Sequence, residues 1–134
     1  MTAFELGSEL PTLRVTPDGE VMARYAGASG DFNPIHLDEE FAKSVGLPGR
    51  VLHGLYTMAL LARAQTEPAG GPETLKRLAV TFRGVALPEH EITITSMVSE
   101  QHEGRLVLTA TATQQGKAII RNATVEIEPR SVPA

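Results

Sequence analysis

Asp31 and His36 stand five positions apart in the run Tyr25-Ala26-Gly27-Ala28-Ser29-Gly30-Asp31-Phe32-Asn33-Pro34-Ile35-His36. A carboxylate and a nearby imidazole form a general acid/base pair when something holds them in one geometry. An isolated pair at this spacing is more often a turn carboxylate and a surface imidazole. Here the surroundings change the reading. Gly27 and Gly30 permit backbone angles that other residues avoid, and Pro34 fixes its own φ and restricts Asn33. The run reads as a constrained loop that presents both side chains.

The elements around this loop follow from pattern. Leu13 to Thr16 is a short strand candidate. Thr16 and Pro17 are start signals for a helix from about Pro17 to Ala26, with Val21, Met22 and Tyr25 on its apolar side. After the loop, Asp38 to Val45 reads as a short helix begun by carboxylates and stopped by Gly46. From His53 to about Thr66, Leu55, Met58, Ala59, Leu60, Leu61 and Ala62 are apolar on most sides, which predicts a buried helix. Pro68-Ala69-Gly70-Gly71-Pro72 is expected to break it. The period then changes to two. Leu75 to Phe82, Glu91 to Glu100, Arg105 to Gln114 and Lys117 to Glu128 are strand candidates separated by turn signals. One long helix and an antiparallel meander predict an α+β domain whose sheet curls round the helix.

The chain has 134 residues, no cysteine, and 12 Lys plus Arg against 16 Asp plus Glu, for a formal charge of −4. The length predicts one domain, 1–134, with a loose tail from Pro129 to Ala134. Lack of cysteine excludes disulfides, thiolate nucleophiles and cysteine metal sites. The scattered basic residues argue against nucleic acid as a partner. No apolar run approaches the ~20 residues of a membrane span, and the first residues lack signal-peptide character, so no membrane association and a cytoplasmic location are expected. Asp31, His36 and His53 match no local metal-ligand spacing, and neither metal nor cofactor is expected.

The Gly30-Asp31-x-Asn33-Pro34-x-His36 block, followed by Leu52-His53-Gly54-Leu55-Tyr56-Thr57-Met58-Ala59, resembles the MaoC-like hydratase/dehydratase family, which includes (R)-specific enoyl-CoA hydratases and small (3R)-hydroxyacyl-ACP dehydratases. The resemblance implies a hot-dog fold, a curled antiparallel β-sheet wrapped around a long central α-helix. It makes Asp31 and His36 the catalytic pair. It also makes Gly54 the residue whose backbone N–H meets the substrate thioester carbonyl. The implied reaction interconverts trans-2-enoyl and (3R)-3-hydroxyacyl thioesters of coenzyme A or acyl carrier protein. Such chemistry needs a base, an acid and an oxyanion donor, the last at the positive end of a helix.

Four further residues form the candidate binding set. Asn33 either anchors the loop or touches substrate, and His53 either orients the helix or borders the site. Thr57 bonds a catalytic side chain or its own helix. Met58 is a packing residue or a pocket wall. Arg50, Arg77, Arg83 and Arg121 are candidate contacts for phosphate or a carrier protein. A long open sheet edge predicts a homodimer, or a heterodimer with a related subunit. The competing readings are a hot-dog thioesterase, whose carboxylate would be expected on the central helix, and an acyl-binding subunit of a heterodimeric dehydratase, which would be expected to have lost the Asp/His pair.

Overall fold

The computed structural model describes residues 4–130. Five antiparallel strands form one sheet in the order β1-β3-β4-β5-β2: β1 (Leu13–Val15), β2 (Leu75–Ala79), β3 (Ile92–His102), β4 (Arg105–Gln114) and β5 (Lys117–Ile127). The predicted alternation carries the wall. Ile92, Ile94, Val98, Leu106, Leu108, Ala123, Val125 and Ile127 are all buried. Gln115 and Gly116 both have positive φ, the conformation of a type I′ hairpin, which fixes the β4–β5 register. Bulges curl the sheet. At one of them Asn122 takes a φ of 52° and donates its N–H to Thr111 Oγ1.

The sheet closes on α4 (Gly54–Ala69), whose Leu60, Leu61, Ala64 and Gln65 enter the core. This is the expected α+β hot-dog arrangement, with an open sheet. The helix is nevertheless not buried all round. Leu55 is 62% exposed, and Ala59, Arg63 and Glu67 also face outward, because a five-stranded sheet from one chain covers one side of a helix only. Nor does Pro68 break it. That proline sits in the last turn, where its missing N–H costs a single bond, and the helix ends at Gly70 with φ 120°.

Three other expectations change. The first helix, α1 (Val21–Ser29), starts four residues later than predicted, because Pro17 to Glu20 are committed elsewhere. Pro17 O accepts from Glu89 N–H, Gly19 O accepts from Arg50, and Asp18 Oδ1 accepts from Glu20 N–H. The expected loop is divided. Tyr25 to Ser29 belong to α1, and Pro34 opens a one-turn helix, α2 (Pro34–Leu37), before α3 (Glu39–Ser44). The tail expected to be loose from Pro129 begins with an anchor, since Arg130 donates its backbone N–H to Ala69 O and its side chain pairs with Glu73. Residues 131–134 lie outside the described residues.

Candidate active site

Asp31 lies in the short connector between α1 and α2. Gly30 ends α1 with φ 80°, a left-handed conformation that turns the chain sharply and suits glycine. Asp31 N–H donates to Ser29 Oγ, and Asp31 Oδ1 accepts from Asn33 N–H at 3.2 Å. Asn33 then caps α2, its Oδ1 accepting from Ile35 N–H at 3.1 Å, and Pro34 occupies the first helical position. Each residue of the block thus fixes the next. One carboxylate oxygen of Asp31 is held by the loop, and the other, Oδ2, lies 3.8 Å from His36 Nε2.

The two partners differ in exposure. The Asp31 side chain is 52% exposed and that of His36 only 8%. His36 Nδ1 lies 2.7 Å from Val51 O. A carbonyl can only accept, so Nδ1 carries a proton, and in the neutral imidazole Nε2 is the nitrogen that offers a lone pair. At 3.8 Å the Nε2–Oδ2 gap exceeds a direct hydrogen bond, and it matches two groups sharing one water.

Behind this pair, His53 is buried, and its ring stacks on His36 with centroids 3.8 Å apart and a 20° interplanar angle. Its Nε2 donates to the backbone carbonyl of Asp31 at 3.0 Å. Tyr25 packs tilted against the His53 ring with centroids 4.7 Å apart, and Tyr56 meets Tyr25 edge-on. Burial pushes the Tyr56 phenol above its ordinary pKa. His53 is therefore a strut between the central helix and the Asp31 backbone. Its Nδ1 is buried without a partner.

A cleft of about 210 Å³ opens in front of His36, walled by Leu52, Gly54, Thr57, Phe82 and Val85. Gly54 is the first residue of α4, where backbone N–H groups have no acceptor within the helix. A Cβ at this position would lie 3.3 Å from the Phe82 ring, so glycine leaves the approach to that N–H open. Thr57 Oγ1 donates back to Gly54 O at 2.7 Å. Met58 is half-buried one residue further on and does not line this cleft.

Asp31, His36 and His53 each present a ligand atom within 4.8 Å of the others. Their geometry suits hydrogen bonding better than a metal. Stacked imidazoles carry their lone pairs in nearly parallel planes, and one nitrogen of each ring is already bonded to a backbone carbonyl.

Residues 5–119 match the family described as the MaoC like domain. The chain belongs to the MaoC-like domain family. It is 35% identical over 124 residues to the fatty acid synthase subunit beta of Aspergillus oryzae, covering 90% of this chain and 6% of that subunit. It is 37% identical over 100 residues to the peroxisomal hydratase-dehydrogenase-epimerase of Saccharomyces cerevisiae, covering 74% of this chain and 10% of that protein. The chain thus spans a tenth or less of these curated relatives. A solved MaoC-like dehydratase superposes with a TM-score of 0.89 at 31% identity, over 94% of this chain and 41% of that one.

Two features of this MaoC-like site give no sequence signal of their own. Val51 acts through its carbonyl, which any residue type would supply. Gln114, which follows an alternation of Thr and Ala from Thr109 to Thr113, is buried and pins the segment before β3. Its Oε1 accepts from Leu87 N–H, and its amide donates to Leu87 O and His90 O. Gly84, Val85 and Ala86, just ahead of that segment, line the cleft. Among the described residues no helix is long and apolar enough to cross a membrane.

Proposed function

We propose that this chain is a hydro-lyase that adds water across a trans-2-enoyl thioester, or removes it from the (3R)-3-hydroxyacyl thioester. One observation carries the reading: the Asp31 carboxylate and Nε2 of His36, 3.8 Å apart beside an apolar cleft that also presents the Gly54 N–H. In hydration the water is held between Oδ2 and Nε2. Its oxygen adds to C3 while Nε2 accepts a proton, and the electron pair of the double bond moves toward the thioester oxygen, which accepts from Gly54 N–H. The imidazolium then returns a proton to C2. Water has been added, the pair is restored, and dehydration is the same path reversed. A preorganised N–H at a helix start contributes about 3 kcal/mol to such an oxyanion.

In this scheme Asp31, His36 and Gly54 touch the reacting atoms. Asn33 and His53 position Asp31, Asn33 through the loop and His53 through the Asp31 carbonyl, and Thr57 lines the cleft that takes the acyl group, which Met58 does not. No cofactor enters the scheme. The thioesterase alternative would call for a carboxylate on α4, where Glu67, near the far end, is the sole acidic residue. The exposed edge strands β1 and β2 and the uncovered outer face of α4 favour pairing with a second hot-dog unit, identical or related.

The test is the ultraviolet loss of the conjugated enoyl thioester when purified protein meets crotonyl-CoA and then a longer trans-2-enoyl-CoA, with the Asp31→Asn variant alongside. Turnover by the wild type that the variant lacks supports the reading, and equal turnover by both ends the mechanism.

A further inference from the structure

Gly84, Val85 and Ile119 wall the cleft in front of His36 and also wall a neighbouring cleft of about 360 Å³, whose lining includes Arg83 and Lys117. The shared wall is held close. Arg83 N–H donates to Ile119 O at 2.7 Å, and a Cβ on Gly84 would lie 3.2 Å from Ala118 O. Lys117 is the first residue of β5, set by the Gln115-Gly116 turn. Both cations therefore stand on well-fixed backbone and line a cleft that shares Gly84, Val85 and Ile119 with the one in front of His36.

Their charge is unanswered. The chain has 12 Lys and Arg against 16 acidic residues, all the basic ones lying within the described range, and most pair with a carboxylate. Among the basic residues singled out in the sequence, Arg50 pairs with Glu39 and Arg77 with Glu126. Arg83, Lys117 and Arg121 have no carboxylate within ion-pair distance among the described residues. Of these three, Arg121 does not line the cleft. In a net acidic chain, two unpaired cations facing one concavity select an anion. A guanidinium and an ammonium lining one cleft suit phosphate oxygens, the first as a fork and the second as a point charge.

We propose that Arg83 and Lys117 seat the phosphate of the substrate's pantetheine arm, with the arm running past Gly84 and Val85 to place the thioester at Gly54. The inference rests on the hydro-lyase reading and deepens it by naming the recognition group. That phosphate is common to coenzyme A and to a loaded acyl carrier protein, so the seat serves either source.

The experiment compares wild type with Arg83→Gln, Lys117→Gln and the double variant on three thioesters: crotonyl-CoA, crotonyl-4′-phosphopantetheine and crotonyl-N-acetylcysteamine, the last carrying no phosphate. The expected result is a KM about 5- to 20-fold higher for both phosphorylated substrates in each single variant, higher still in the double, with kcat and the N-acetylcysteamine KM unchanged. Equal change on all three substrates, or none, overturns the seat. A change confined to crotonyl-CoA also overturns it, since the contacts would then lie on the nucleotide. If the wild type turns over none of the three, the hydro-lyase reading fails by itself, and calorimetry with 4′-phosphopantetheine against pantetheine decides the seat. Preference for the phosphorylated compound, lost in the double variant, keeps it, and no preference removes it.

Discussion

The wall of β3, β4 and β5 and the segment from Asp31 to Gly54 are held in contrasting ways. The wall is redundant: Ile94, Leu108, Ile120 and Val125 are fully buried, and each is supported by many neighbours and by ladder bonds on both sides. The segment hangs on individual bonds between residues far apart in the chain. Val51 O fixes His36, His53 fixes Asp31, and Leu52 N–H donates to Ala86 O. Burial sums over area and tolerates the loss of one member, whereas catalytic geometry is lost with one bond. Changes in the wall should therefore be read in stability, and changes in the segment in rate.

The largest effect expected is on rate. Asp31→Asn keeps the shape and its Oδ1 contact to Asn33 N–H but removes the charge, so kcat should fall by about 10²–10⁴ with an unchanged melting curve. Leu61→Ala is the converse. Leu61 is fully buried where α4 meets the sheet, and its truncation should cost about 2–5 kcal/mol in a urea titration. The active fraction should then keep nearly normal kcat/KM. A Leu61→Ala protein that stayed stable but lost turnover, or an Asp31→Asn protein that melted early, would break the contrast.

His53 sharpens it, being buried like the wall yet bonded like the segment. His53→Phe preserves a ring to stack on His36 and removes the Nε2–H that holds the Asp31 carbonyl. Loss of that strut should lower kcat about 10-fold through misplacement of the carboxylate, with KM little changed. His53→Gln supplies an amide donor and should recover most of the loss. A role in packing alone predicts the opposite order, with Phe the milder variant.

Legibility in the sequence divides along the same line. The period-two pattern located β3 to β5 within a residue or two, because alternation is the physical cause of their burial. The glycine/proline block located Asp31 and His36, because cap and turn chemistry are local. What escaped was tertiary. The start of α1 shifted because Gly19 and Pro17 carbonyls are taken by Arg50 and Glu89, far along the chain. The outer face of α4 read as buried because apolar composition alone does not say which side of a helix the sheet covers. Val51 acts through a backbone carbonyl, which residue type does not encode. Pro34 was read as a loop stiffener, although it equally suits the first turn of a helix, which is what α2 makes of it.

Gly54→Ala tests how close the reacting edge is to a side chain. The added methyl would sit 3.3 Å from the Phe82 ring, a half-exposed ring with room to move outward. The N–H survives, so the chemical step should be spared, and a few-fold rise in KM is expected from the narrowed cleft. Phe82→Ala in the same protein should relieve it. A loss of kcat that Phe82→Ala did not relieve would mean the methyl disturbs the start of α4 itself.

The smallest effect belongs to the turn that leads into α1. Asp18 accepts from Glu20 N–H and from the Arg24 guanidinium, which together hold its carboxyl below the ordinary value of 3.8. A carboxylate depressed in the folded state favours folding above its unfolded pKa, and that contribution disappears as pH falls through the lower folded value. The group is fully exposed, so solvent screens the interaction and the effect is small. Urea midpoints of wild type and Asp18→Asn should differ slightly at pH 6 in favour of wild type, and the difference should shrink as pH falls below the ordinary value of 3.8. Turnover should not follow, because the Asp18 turn adjoins α1 at the end opposite Gly30 and Asp31, and the bonds that set Asp31 come from Ser29, Asn33 and His53. A parallel fall in kcat would mean that α1 transmits strain along its length to the acid/base pair, and the segment would then share the wall's cooperativity after all.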